Sequence, residues 1–412
     1  MNLDCVKCRG SRNLCGRNYC PIYSRLQTKV IKFDKEEFFG ATPPSIFIGS
    51  KLTYPAVNVG VLSVPDFNEE VWVYNEPKYW VNQGFNINQI IKLRTNLVNS
   101  RFTSNVKDVR INDKFLELAQ EIGMSKKEVD VEVKLKKKPN FKMDLDKVRL
   151  PMGPSVSLEK LKVTDNIKIE NKIQKVYYDI DLKAIDAIEY LYKNNFDEYV
   201  LTQLLSIGVL GVKKDRKLVS TRSSITATDD IIGKQLIEEV KKYNTIDDYR
   251  LFYGNYLGNY YFIMMFPEIW SYELFEIYMS GSVWNPSNEL KISTDDEDYY
   301  GRKKYASNCV GGYYASRLPC LEFLNNVKRQ AGVLVIRFET PEYNAPLGVF
   351  VVREAARKSF ENSFSFDSRE NLIKKLKEII YGRFRWNIDE VLVKSKLLKR
   401  RKEQTKLSLF CD

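Results

Sequence analysis

The sequence predicts an α+β fold: an N-terminal four-cysteine zinc module, a mixed α/β body, a C-terminal helix and a flexible tail. Four of the seven cysteines fall in the first 20 residues, strand-like and helix-like segments interleave through the middle, and a basic run leads into a short apolar motif at the end. With 412 residues, 44% hydrophobic and 29% charged, the chain has the composition of a folded protein of two or three domains. The expected divisions are a zinc module at 1–25, mixed domains at 26–150 and 151–392, and a basic tail with a docking motif at 393–412.

The first segment reads Cys5-x2-Cys8-x6-Cys15-x4-Cys20, interleaved with Lys7, Arg9, Arg12 and Arg17. Four thiolates at this spacing suit tetrahedral Zn²⁺, which would replace a core that twenty residues cannot build. Four cysteine ligands leave no open position, so the zinc would be structural; a pair of disulfides is the alternative. Residues 45–49 and 57–64 read as strands between Pro and Gly, and 86–98 and 113–122 as helices. Lys134, Lys136, Lys137 and Lys138 open a polar, Pro-containing stretch to residue 154, either a solvated linker or a loop that contacts phosphate.

The second half opens with a strand-like pattern at 166–178 and helical patterns at 182–194 and 197–206. Lys213, Lys214 and Arg222, with Ser220, Thr221 and Ser223, precede an Asp229-Asp230 pair and a helix to residue 243. Bases and hydroxyls at a helix start suit an anion site, and a charged hairpin with a helix cap uses the same residues. The aromatic-rich stretch 250–278 reads as strands followed by a helix, packed as core, with base stacking as the alternative. Arg302 and Lys303 precede a helix expected over 306–328, which carries Arg317, Gly311-Gly312 and Pro319; these three bases, with the lysines and arginine above, are candidate nucleic-acid contacts. Cys309 and Cys320 would share one face of it, too far apart for a disulfide. A strand is expected at 331–340 and helices at 352–360, 368–382 and 388–402.

The chain ends Gln404-Thr405-Lys406-Leu407-Ser408-Leu409-Phe410-Cys411-Asp412. Gln404, Leu407 and Phe410 have the spacing by which proteins dock on the DNA sliding clamp (PCNA). In a 3₁₀ turn, side chains at i and i+3 share one side, so Leu407 and Phe410 can fill one apolar pocket together. Cys411 stands where such motifs carry a second aromatic; tucking of the tail onto the protein's own core is the alternative.

A formal net charge of +12 attracts polyanions, DNA foremost. The complete absence of histidine excludes Ser-His-Asp, Cys-His and imidazole–metal chemistry. Without an apolar leader or a run of 18 apolar residues, an intracellular protein with no membrane partner is expected. Whether the chain is an enzyme stays open. A metal-dependent nuclease would draw on Asp229, Asp230, Asp295, Asp296 and Asp298, or on Asp179-x-Asp181-x-Lys183. An RNA-binding zinc protein would use the same charge and cysteines.

Several segments together resemble the archaeal Nre family of DNA repair proteins, of the NreA type. They are Pro43-Pro44-Ser45-Ile46-Phe47-Ile48-Gly49, Tyr54-Pro55-Ala56-Val57-Asn58-Val59-Gly60, Ser220-Thr221-Arg222-Ser223-Ser224-Ile225-Thr226-Ala227, Gly301-Arg302-Lys303, Gly311-Gly312-Tyr313-Tyr314-Ala315-Ser316-Arg317 and residues 348–354. The resemblance implies repair of damaged DNA in an archaeal cytoplasm, dependent on the clamp. It assigns Gln404, Leu407 and Phe410 to the clamp and Cys5, Cys8, Cys15 and Cys20 to zinc. It supplies no catalytic residues, and Ser223 stands where the family often has Trp.

Overall fold

A computed structural model describes residues 33–49, 52–65, 70–110, 113–140, 149–285 and 287–403. The described residues form two compact units, one running to Ile232 with Asn344–Phe350, the other comprising Gly233–Tyr343 and the chain from Val351.

The first unit is built on β1 (Glu37–Thr42), β2 (Ile46–Ile48), β3 (Ala56–Pro65), β4 (Val98–Asn105), β5 (Val129–Leu135) and β6 (Ser155–Val163). Their order is β1-β5-β6-β4-β3-β2, and β1 also pairs with β3, so the sheet closes on itself like a barrel. Alternation fixes the inside: β5 buries Val129, Val131, Val133 and Leu135 and turns Glu132 and Lys134 outward. On β3, Val59 and Val61 are fully buried. A second cluster of Ala41, Leu62, Val64, Val71, Tyr74, Leu97 and Met152 extends this core.

Helices α1 (Pro77–Asn82), α2 (Ile87–Thr95) and α3 (Lys114–Met124) lie between the strands. At the start of α2, Asn86 Oδ1 accepts from Gln89 N at 3.0 Å, and Gln89 Oε1 accepts from Asn86 N at 2.8 Å. This reciprocal pair satisfies two amides that a helix start leaves open. The unit continues through α4 (Asn171–Tyr178), α5 (Ala184–Lys193), α6 (Glu198–Ser206) and α7 (Thr221–Val240), within which the division between units falls.

The second unit is a six-stranded sheet among the described residues, in the order β10-β9-β11-β8-β7-β12. Its strands are β7 (Tyr249–Tyr256), β8 (Asn259–Phe266), β9 (Ser271–Tyr278), β10 (Lys291–Glu297), β11 (Gly332–Glu339) and β12 (Ser363–Phe366). Its helices are α8 (Gly311–Val327), α9 (Phe350–Ser359), α10 (Arg369–Phe384), α11 (Asp389–Lys394) and α12 (Lys396–Glu403). Phe262, Met264, Phe275, Leu334 and Ile336 on one face meet Leu372, Leu376 and Ile380 of α10 and Val391, Leu397 and Leu398 of the last two helices.

The α+β body is present, but the expected N-terminal zinc module is corrected. The described chain begins with a barrel-like sheet that buries its own apolar core, and a four-cysteine zinc module is not shown. Among the described residues no three Cys, Asp or Glu side chains are grouped to hold a metal ion. Cys5, Cys8, Cys15 and Cys20 lie outside the described residues, as do Gln404, Leu407 and Phe410.

Four element boundaries also differ. Residues 171–178 form α4 rather than a strand, because the segment buries Ile173 and Val176, three apart, after an alternating start. The aromatic stretch 250–278 is core as expected, yet its last part is strand β9, covered on both faces. Helix α8 starts at Gly311, leaving Cys309 in the preceding loop, with both Cys309 and Cys320 buried and free of disulfide. The expected helix 388–402 breaks at Ser395 into α11 and α12.

Candidate nucleic-acid interface and tail anchor

Helix α12 leads into the terminal motif, and a buried carboxylate fixes where it starts. Glu273 sits on β9 at 1% exposure. It accepts from Ser395 Oγ at 2.5 Å and from the amides of Lys396 and Leu397, both at 3.0 Å. These are first-turn amides with no partner inside the helix, so a side chain from the sheet supplies the cap. The Ser395 hydroxyl in turn accepts from Leu398 N at 3.1 Å. Burial raises the Glu273 carboxyl above the ordinary glutamate value, and the three donors offset this only in part. On the same face, Asp296 pairs with Lys396 and Arg400, each at 2.8 Å. Leu397 and Leu398 are buried beneath.

The opposite face of this sheet carries a buried charge network that composition and spacing did not reveal. Arg337 on β11 contacts Glu276 of β9 in a short ion pair, and its Nη2 donates to Glu339 at 3.1 Å and to Asn259 at 2.6 Å. The Tyr278 hydroxyl donates to Glu276 at 2.7 Å. Arg337, Glu276 and Glu339 are each no more than 3% exposed, so they hold strands β8, β9 and β11 together and cannot meet a polymer. The signal available in the sequence was charge inside an otherwise apolar strand run, Arg337 and Glu339 in 332–339.

The sequence-predicted bases separate into buried pins and exposed contacts. Arg317 is 2% exposed and bound to Glu297 at 2.7 Å, which removes it from any DNA surface. Arg302 donates to the carbonyls of Asp296 (2.7 Å) and Lys304 (3.1 Å) and to Asp295 Oδ1 (3.1 Å), and so shapes the loop 298–305. Lys303 and Lys304 on that loop are exposed, beside Tyr300 at 91% and Tyr305 at 61% exposure. Lys134 lies between Glu37 and Glu159, both at 3.2 Å, and bonds to Glu159 and Glu37 raise its ammonium above the usual value. Lys136, Lys137 and Lys138 are exposed just beyond β5, with Lys138 at 3.4 Å from Asp34. Lys213 and Lys214 are exposed in a 3₁₀ turn, and Arg222 lies half-buried in the first turn of α7.

The carboxylates proposed for a nuclease do not converge. Asp229 and Asp230 are buried within α7 rather than ahead of it, and Asp295 accepts from the amides of Asn308 (2.9 Å) and Cys309 (2.7 Å). Asp296 serves α12, Asp298 accepts from Tyr300 N at 2.9 Å, and Asp179 accepts from the amides of Asp181 and Leu182. A cavity of about 950 Å³ in the second unit is lined by Tyr253, Tyr260, Phe384, Lys358, Arg383 and Glu342, with Glu361 balancing the charge. Tyr260 donates to Glu342 at 2.9 Å and accepts from Arg383 in a short bond, so the basic groups there are already compensated. Among the described residues no helix is long and apolar enough to cross a membrane.

Comparison with known proteins covers nearly the whole chain. Residues 14–285 match the family model for archaeal Nre, N-terminal, and residues 297–410 that for archaeal Nre, C-terminal. The DNA repair protein NreB of Archaeoglobus fulgidus is 35% identical over 408 residues, covering 98% of this chain and 99% of that protein. The DNA repair protein NreA of the same organism is 40% identical over 363 residues, 88% of this chain and 90% of its own length. The DNA repair protein NreA of Haloferax volcanii is 34% identical over 363 residues, 86% of each chain. No solved structure matches the chain. With both family regions matched in order and relatives aligned end to end, the chain belongs to the archaeal Nre family.

Proposed function

We propose that this chain is a DNA repair factor that holds DNA through exposed lysines and is brought to it by the sliding clamp. Gln404, Leu407 and Phe410 are the docking residues. The repair reading is supported by the relatives, each named a DNA repair protein. The docking reading is supported by one observation above all: α12, pinned at its start by Glu273, ends at Glu403, one residue before Gln404. The anchored helix thus brings the described chain to the residue that precedes the motif in sequence. The match to the Nre C-terminal region also extends through Phe410.

Tethering then does much of the work, because a clamp-bound protein sees nearby DNA at high effective concentration and even weak phosphate contacts suffice. Clamp pull-down comparing wild type with Gln404→Ala/Leu407→Ala/Phe410→Ala tests the address. Loss of retention is expected in the variant; equal retention of the two proteins would sink the docking reading.

A further inference from the structure

The barrel of the first unit has a specific topology. β1 and β2 behave as one bent strand: Glu37–Thr42 pairs with β5, and after Pro43-Pro44 the segment Ile46–Ile48 pairs with β3. Counting that bent strand as the first, β3, β4, β5 and β6 are the second to fifth. The ring then runs first-second-third-fifth-fourth and back to the first. The neighbours are antiparallel except the third and fifth, β4 and β6, which are parallel. The single long helix between the third and fourth strands is α3, whose Leu116, Ala119, Ile122 and Met124 are buried. A bent first strand, this ring order, one parallel pair and a helix at this point together define the five-stranded Greek-key barrel that binds oligonucleotides or oligosaccharides.

From this topology we infer that the outer face of β3 and β4, flanked by Tyr54 ahead of β3 and by Lys136, Lys137 and Lys138 after β5, is a binding site for single-stranded nucleic acid. The inference rests on the DNA-binding reading above and names its site and strand class. In such barrels the ligand crosses the second and third strands between the first-to-second and fourth-to-fifth loops. Here the register turns Asn58 of β3 and Arg101, Thr103 and Asn105 of β4 away from the barrel interior. The first loop supplies Tyr54, 71% exposed, and the second opens with Lys136, Lys137 and Lys138. An aromatic ring on one side, lysines on the other and amides and an arginine between them offer stacking, phosphate attraction and neutral hydrogen bonding in one strip. None of those side chains is acidic, and the Asp34 contact engages Lys138 alone of the three lysines. A ring can stack only on an unpaired base, which selects a single strand over a duplex. The basic loop and the Tyr54 segment, far apart in sequence, are thereby parts of one surface.

The test is fluorescence anisotropy of the full chain with a labelled single strand of about 12 nucleotides and with the matching duplex, over a salt series. The single strand is expected to bind more tightly than the duplex. Tyr54→Ala should weaken single-strand binding about 5- to 150-fold, and Lys136→Gln/Lys137→Gln should lower the salt slope by about 1.4. If the wild type binds DNA but prefers duplex, or if the Tyr54 and Lys136/Lys137 variants bind as the wild type does, the single-strand site on the β3/β4 face is overturned while DNA binding stands. If the wild type binds neither DNA, both readings fall.

Discussion

Removing the Glu273 carboxylate should release α12, the helix that carries the docking motif. In Glu273→Ala three donors lose their acceptor: the buried Ser395 hydroxyl and the amides of Lys396 and Leu397. Leaving a buried donor unsatisfied costs about 1–3 kcal/mol, and burial of the carboxylate itself opposes part of the gain. The net local loss is therefore about 2–4 kcal/mol, which should speed amide exchange across residues 395–403 by about 30- to 1,000-fold. Hydrogen-exchange mass spectrometry of the full chain reads this directly. The pH dependence has a definite sign. The folded-state value of Glu273 is raised above 4.5, so its contribution is full below 4.5 and is lost as pH rises through the raised value. The variant's penalty should accordingly be greater at acid than at neutral pH. Unchanged exchange at residues 395–403 would mean that burial of Leu397 and Leu398 alone holds the helix, and the anchor would be refuted.

Arg337→Met should destabilise the second unit by about 3–5 kcal/mol, because Glu276 and Glu339 would keep their burial and lose their counter-charge; a change below 1 kcal/mol in urea unfolding, on the order of experimental scatter, would contradict that. Asn86→Ala should cost the first unit about 1 kcal/mol by breaking the reciprocal cap of α2, measured the same way. Cys309 and Cys320 are buried, and burial pushes the Cys320 thiol well up, so neither should react with a thiol reagent at neutral pH until denaturant is added. Peptide mapping after labelling of the native chain checks this, and early modification of Cys320 would show that its surroundings open.

Elements whose pattern is local were legible in the sequence. Residues 184–193 and 198–206 fold as the helices their spacing predicted, and β3 and β11 as the strands theirs predicted, because periodicity reports which face is covered. The segment 171–178 was misread because its alternating lead-in at Ile167 and Ile169 gives way to a spacing of three. Charge was harder to place. Arg302 and Arg317 have the sequence character of phosphate contacts, and the fold turns both inward onto carboxylates. Lys136 and Lys137, of the same character, stay exposed because the chain leaves β5 there.

By itself the sequence determined the family, the basic charge, the lack of histidine chemistry and the expectation of a docking tail, since each is carried by residue identity or by short spacing. The tertiary structure alone decided the rest. That Glu273 would cap a helix more than 120 positions later, that Asp295 and Asp296 would face opposite sides of a sheet, and that five strands would close in a ring with one parallel pair depend on strand register. Register is set by pairing between distant segments, so no local pattern in the chain encodes it.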